Sequence, residues 1–304
     1  MKGAVVFAVV VGAVAVLTAQ RPTFKTGIDL VNFGVSVVQK GGQPVTDLAH
    51  EDFEIYEDGQ KQTVKYFAPG DGGEQAPDLH LGLLLDTSGS MEEDIKLART
   101  AAIKFLNTLP YAADITLVDF DTEVRVARYG QADFARLVER IRGRKTEGYT
   151  ALYDALGVYL DGANGLEGRK ILVLYTDGGD NSSNISFGDT LTLLRASDVA
   201  VYAIGLLEHQ LTSVKLELRM RLQQMAEETG GLAFFPSSVK DLDGVYDKVQ
   251  ADIKGQYTLG YVSTNDRADG TWRKVEIRVN RAGPKNWKIR TRKGYFAPYK
   301  PPSR

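Results

Sequence analysis

Four near-continuous apolar runs punctuate the chain: Leu81 to Asp86 within "LGLLLDTSGSM", "DITLVDF" from Asp114, "KILVLYTD" from Lys170 and "VAVYAIGL" from Val199. Runs this short and this apolar are the pattern of strands covered by helices on both faces. A fifth segment, "EVRVARY" from Glu123, alternates apolar with charged positions and predicts an edge strand. Between the runs, apolar residues recur at three and four. One set is Ile95, Ala98, Ala102, Phe105, Leu106 and Leu109, and a second is Leu152, Leu156, Tyr159 and Leu160. A third, Leu242, Val245, Tyr246, Val249 and Ile253, is stopped by Gly255. Strand and helix in alternation predict an α/β domain over residues 78–255, with a mostly parallel sheet between helices.

The flanks follow a different period. Residues 28–70 contain no credible long helix, and their turn signals are "KGGQP" and "EDGQK", the second a hairpin of the Asp-Gly kind. After Gly255 come "QYTLGYVS", a turn at "NDRADG", "WRKVEIRVN" and "WKIRTRKGYF". Val275, Ile277 and Val279 alternate with charges, so one face of that strand is buried and one is wet. Neither flank alone buries much of a core. The economical arrangement pairs residues 20–77 with residues 256–304 in one β-sandwich, interrupted by the α/β domain. Trp272 and Trp287 are then packing residues.

Composition sets the context. With 304 residues there is room for about two domains, and 43% hydrophobic with 25% charged residues suits globular cores. A net charge of -2 gives no reason to expect nucleic acid, and "RIRGRK" at Arg140 to Lys145 reads as a solvated helix end. The start, "MKGAVVFAVVVGAVAVLTAQ", has one lysine before an apolar run from Ala4 to Leu17, the pattern of a secretory leader. Cleavage is expected after Ala19 (leader 1–19) or after Ala15, which leaves the better Ala-x-Ala match. An uncleaved anchor is the alternative, although the run is short of the roughly 20 apolar residues of a spanning helix. With no cysteine, neither disulfides nor a cysteine-linked lipid anchor is expected. The mature chain is expected to be secreted, periplasmic or at the cell surface, without a membrane span.

In an open α/β sheet ligands sit beyond the carboxyl ends of the strands. Asp86, Ser88 and Ser90 lie at such an end, Thr150 opens a helix in "EGYTALYDAL", and Asp177 ends a strand in "LYTDGGDN". Three hydroxyls and two carboxylates from three loops, with no histidine or thiol, suit a hard cation, Mg²⁺ first. Each residue alone has a plainer role. Ser90 with Glu93 fits a capping box, Thr150 an N-cap, and Asp177 with Gly178 a turn. Only the coincidence of all five at one rim favours the metal. Asp180 and Asp189 are left out as solvated acids, and His50, His80 and His209 have no ligand-like spacing. The acidic run "HEDFEIYEDG" lacks the oxygen spacing of a Ca²⁺ loop.

"DTSGS" from Asp86, "YTALYDAL" from Tyr149 and "TDGGDN" from Thr176 resemble a von Willebrand factor type A (VWA) domain. "VTDLAHEDFEIYEDGQKQTVKYF", "MAEETGGLAFF" and "RKGYFAP" extend the resemblance to bacterial secreted VWA-related proteins, over nearly all of the mature chain. The resemblance implies a Rossmann-like VWA domain with a metal-ion-dependent adhesion site at Asp86, Ser88, Ser90, Thr150 and Asp177. It implies that Ser88, Ser90 and Thr150 ligate the metal directly once a ligand is bound, and that Asp86 and Asp177 act largely through waters. Mg²⁺ is the implied ion, with Mn²⁺ or Ca²⁺ as alternatives, and a protein partner supplies an Asp or Glu carboxylate. Tyr149 departs from the pattern, where small residues are common; it narrows the site or supplies a contact. The resemblance also implies that the terminal helix, here Leu242 to Ile253, couples to the site.

The leading expectation is therefore a non-enzymatic binding module. A rival is a metal-dependent phosphotransferase or hydrolase. An aspartyl-phosphate enzyme wants a second carboxylate two residues after Asp86, where Ser88 stands, and no Gly-x-Ser-x-Gly or placed histidine supports a serine hydrolase. A third reading is a structural or assembly protein whose site is capped internally, by a carboxylate from Glu51 to Glu57.

Overall fold

The computed structural model describes residues 30–70, 77–108, 112–281 and 287–301. The expected leader and Leu109 lie outside the described residues. The first flank forms strands β1 (Leu30–Val38), β2 (Phe53–Glu57), β3 (Gln60–Gln62) and β4 (Val64–Ala68). The central part runs β5 (Leu79–Asp86), α1 (Ile95–Leu106), β6 (Asp114–Phe120), β7 (Val124–Gly130), α2 (Phe134–Gly143), α3 (Leu152–Asn164) and β8 (Arg169–Thr176). It continues with α4 (Phe187–Ala196), β9 (Val199–Gly205), α5 (Thr212–Glu228), β10 (Leu232–Phe234) and α6 (Val239–Gly255). The second flank adds β11 (Tyr257–Val262), β12 (Trp272–Val279), β13 (Lys288–Arg290) and β14 (Gly294–Phe296).

The central sheet has the order β10-β9-β8-β5-β6-β7, parallel throughout except for β7, which pairs antiparallel with β6 at the edge. Alternate residues of β5 serve two cores. Leu81, Leu83 and Leu85 pack under α1, α2 and α6, while Leu84 faces α3, α4 and α5. Gly82 lies beneath the Tyr159 ring, and a Cβ there would come within 2.3 Å of it, so glycine is what lets α3 sit this low on the sheet.

The flanks do combine in a sandwich. One sheet is β13-β1-β11-β4 and the other β14-β12-β2-β3, so each mixes strands from both ends of the chain. Leu30 pairs with Val262 and Phe53 with Val279, both antiparallel. Phe33, Val35, Ile55, Tyr257, Leu259 and Ile277 fill the space between the sheets. The Asp-Gly hairpin joins β2 to β3, with Asp58 at φ 46° and Gly59 at φ 84°, as a tight turn with two left-handed residues requires. Trp272 stacks edge-on to Phe296 at 5.0 Å, and Trp287 packs partly buried against the sandwich core.

The sandwich lies against the amino ends of the parallel strands. Arg292 donates to the carbonyls of Asn32 and of Ser197, just before β9. Asp252 of α6 accepts from Tyr202 at 2.7 Å and pairs with Arg290 of β13. The carboxyl ends, where the candidate site residues lie, are at the other side of the sheet. Among the described residues no helix is long and apolar enough to cross a membrane.

Candidate functional site

Asp86 is the last residue of β5, fully buried, and its two oxygens are held separately. Oδ1 accepts from the Ser88 amide at 3.0 Å and the Ser88 hydroxyl at 2.6 Å. Oδ2 accepts from the Thr176 hydroxyl at 2.6 Å, across to the end of β8. The Ser88 and Ser90 hydroxyls lie 3.1 Å apart, with Ser88 buried and Ser90 exposed. Asp177 follows Thr176, is 2% exposed, and accepts from the Gly179 amide at 3.0 Å and from Gln210 Nε2 at 2.9 Å.

Backbone hydrogen bonds tie the third loop in. Gly89 N–H donates to Gly148 O at 3.1 Å and Glu147 N–H to Thr87 O at 3.0 Å, so residues 147–150 run beside residues 87–89. Asn181 and Ser182 amides donate to Thr150 O, and the Thr150 amide donates to Asn181 Oδ1 at 2.8 Å. All five residues singled out in the sequence therefore meet at one rim. Two of the plainer roles do not hold. Asp94, not Ser90, stands at the N-cap of α1, and Ala151, not Thr150, at that of α3. The Asp177 turn is present as expected, with Gly178 at φ 82°, and coexists with the carboxylate's place at the rim.

The charge at this rim is one-sided. Burial and the nearby Asp177 carboxylate push the Asp86 carboxyl up to about 7, against the hydrogen bonds from Ser88 and Thr176. Among the described residues no cationic side chain pairs with Asp86 or Asp177, and no group of three or more His, Asp and Glu side chains is gathered for an ion. Two uncompensated acids beside neutral hydroxyls are a donor set that a hard divalent cation fits.

The other acids have local duties. Asp180 accepts from the Tyr153 amide at 3.0 Å and the Ser183 hydroxyl at 2.6 Å, and Asp189 completes a capping box with Ser186 at α4. Thr176 and Gln210 were not singled out from the sequence. Thr176 stands next to Asp177, which is a local hint, but Gln210 sits on the loop after β9 and only the fold brings it near.

That loop also carries His209. Its Nδ1 lies 3.0 Å from Asp94 and its Nε2 3.2 Å from Glu93, so only the doubly protonated ring can donate to both. The hydrogen bond to Asp94 raises its pKa, helped by the charges of Asp94, Glu93 and Glu208 against some burial. A raised folded value means the latch contributes fully below the unfolded value of about 6.5 and is lost as pH rises through the folded one. The thermal midpoint of the native chain should therefore fall more than that of His209→Gln between about pH 6 and pH 8. The effect should be small, since the ring is half exposed; superimposable curves would show that the latch adds nothing.

A VWA domain is the class that this parallel sheet and this rim define, and the family model for the von Willebrand factor type A domain matches residues 80–248, more than half of the chain. The chain belongs to that family. Among solved structures it is similar to a von Willebrand factor type A protein from Catenulispora acidiphila, at TM-score 0.50 and 13% identity over 91% of this chain and 75% of that one. It is also similar to the vWF domain of the type V pili tip protein Mfa5 from Porphyromonas gingivalis, at TM-score 0.47 and 12% identity over 59% and 97%. A third is the PilB minor pilin from Streptococcus sanguinis in its D319A form, at TM-score 0.46 and 14% identity over 59% of this chain and 62% of the pilin. A search of curated proteins found no match.

Proposed function

We propose that this chain is an exported, non-enzymatic binding protein that takes an acidic side chain of a protein partner at a divalent cation. Asp86, Ser88, Ser90, Thr150 and Asp177 would hold the ion, Mg²⁺ first and Mn²⁺ or Ca²⁺ as alternatives. The observation that carries this reading is the gathering at one rim of two buried carboxylates without a cationic partner among the described residues, the Ser88 and Ser90 hydroxyls, and Thr150, from three loops. When bound, a cation shared among so many neutral oxygens keeps positive charge for an incoming carboxylate.

The chain's own residues prepare that rim. Thr176 and Ser88 fix the Asp86 carboxylate, Gln210 fixes that of Asp177, and the paired backbones of residues 87–89 and 147–150 hold the loops in register. The internally capped reading finds no support in residues 51–57. Glu54 pairs with Lys61, Asp52 accepts from the Ala49 amide, and Glu57 is buried in the sandwich, at the opposite side of the sheet from the rim. Secretion rests on the leader pattern at residues 1–19.

Calorimetric titration of the full chain with Mg²⁺ alone should show one site, lost in Asp86→Ala and weakened about 10–100-fold in Thr176→Val, which removes the hydroxyl that orients Asp86 and accepts from the Gly178 amide at 3.0 Å. A pull-down from the native envelope should yield a partner in Mg²⁺ that EDTA or Ser88→Ala releases. Equal capture by Ser88→Ala would sink the reading.

A further inference from the structure

The loop between β9 and α5 has two working faces. Gln210 bonds to Asp177 on the metal rim, while Leu207 and Glu208 line a separate cavity of about 240 Å³ with Lys215, Leu216, Arg219 and Phe235. Thr176 pairs with Gly205, and Leu206 N–H donates to Thr176 O at 2.9 Å, so the cavity opens one strand away from the Asp177 loop on the same rim. It is below the roughly 300–1,000 Å³ of small-molecule pockets and is of side-chain scale.

Its lining mixes the polar side chains of Glu208, Thr212, Lys215 and Arg219 with the apolar ones of Leu207, Leu216 and Phe235, and α5 exposes further apolar surface nearby. Helix α5 buries Leu218, Leu222 and Met225 against the sheet, yet Leu216 is 66% and Met220 59% exposed, four residues apart on one outer face. Leu211, at the head of the helix, is 73% exposed. Leu216 and Met220, neighbours on one helix face with Leu216 lining the cavity, point to an interaction surface. Charge says what kind. The Arg219 guanidinium lies 4.1 Å over the Phe235 ring and pairs with no carboxylate among the described residues, and Lys215 reaches Glu208 only at 3.8 Å. The mouth therefore carries one surplus positive charge.

We infer that this cavity is a second subsite for the same partner segment: it takes an apolar side chain whose neighbour is acidic, while a separate carboxylate of that segment engages the metal rim. The inference rests on the metal reading for the first contact only. The apolar group fills the space between Leu207, Leu216 and Phe235, and the adjoining carboxylate pairs with Arg219. Two anchors on one rim set both the spacing and the direction of the bound segment, which a lone carboxylate on a cation does not.

The test selects a randomised peptide library, each member carrying one fixed glutamate, on the full chain in Mg²⁺ and in EDTA. The native chain should enrich an apolar-acidic pair at a constant distance from the fixed glutamate. Arg219→Glu should lose that enrichment and bind the selected peptides at least about tenfold more weakly, with its affinity for Mg²⁺ alone unchanged. Leu216→Ala, at an exposed position, should weaken them without loss of stability. Should the chain not bind Mg²⁺ while the pair is still selected by the native chain and lost in Arg219→Glu, the metal reading fails and the subsite stands. Identical selections by native and Arg219→Glu chains, or no selection by the native chain, would overturn it. So would sedimentation showing a dimer that Leu216→Glu dissociates, which would make this face an interface between copies.

Discussion

Asp119→Ala should cost about 3 kcal/mol of stability in urea unfolding and should loosen the loop that ends at Thr150. Asp119 is fully buried on β6, directly opposite Arg125 on β7. Arg125 Nε lies 3.2 Å from its Oδ1, Arg144 Nε 2.6 Å from the same atom, and Arg140 Nη2 2.7 Å from its Oδ2. One carboxylate thus gathers three guanidinium groups from a strand, a helix and the segment after it. Removing one partner of a buried pair costs about 3–5 kcal/mol because the charge left behind stays desolvated. Here the three arginine side chains are 20–31% exposed, so water can partly replace the carboxylate and the low end applies. Arg125 also keeps Asp121, whereas Arg140 and Arg144 lose the only acid either pairs with among the described residues. Arg144 begins the run to Thr150, so amide exchange at residues 145–149 should quicken more than at α5. Asp119→Asn, with the shape kept and the charge gone, separates the charge from the cavity. An unchanged urea midpoint in both variants would mean that the network is solvated and adds nothing.

Much of this was legible in the chain. Strands β5, β6, β8 and β9 announce themselves because a doubly covered strand has to be apolar on both faces, and β7 because an edge strand does not. Helices α1, α3 and α6 follow the three-four period of a buried stripe. The rim was legible for a topological reason, since loops after parallel strands all emerge on one side; that Asp86 and Asp177 are also neighbours on it comes from β8 pairing with β5. What stayed hidden is what depends on tertiary contact. "RIRGRK" reads as a solvated helix end, and Arg142 and Lys145 are exposed, but Arg140 and Arg144 turn inward to an aspartate more than twenty residues earlier. Periodicity carries no sign of such a partner. Gln210 is the same case at the site: an ordinary loop amide until β9 lies beside β8. The sandwich could be inferred because neither flank suffices alone, whereas its register, Phe53 against Val279, is set by side-chain packing that no local pattern encodes.

The clearest consequence of that pairing lies at Glu57. It ends β2, is 2% exposed, and its carboxylate accepts from Tyr261 OH at 2.8 Å, Tyr295 OH at 2.9 Å and Ser263 Oγ at 2.7 Å. The acceptor comes from the first flank and all three donors from the second, so this single group fastens the two ends of the chain across the inserted domain. With no cation paired to it among the described residues, this buried carboxylate is tolerated because three hydroxyls point at it. Burial raises the pKa of both tyrosines, so both phenols remain donors throughout the neutral range. Glu57→Ala removes the acceptor, opens a cavity and strands two phenolic groups between the sheets, which together should cost about 3–5 kcal/mol. Glu57→Gln keeps the shape and one acceptor oxygen and should cost about 1–2 kcal/mol, since a hydroxyl can turn to accept from the new amide. If the flanks are one cooperative unit, Glu57→Ala should speed amide exchange in β1 and β11 as well as in β2, because β11 pairs with β1 and carries Tyr261. The α/β core, with its own two apolar layers, should keep its protection in β5 and β8. Exchange that quickens in β2 alone would show that the sandwich does not act as one unit, and no loss of stability in Glu57→Ala would show that the three hydroxyls find other acceptors.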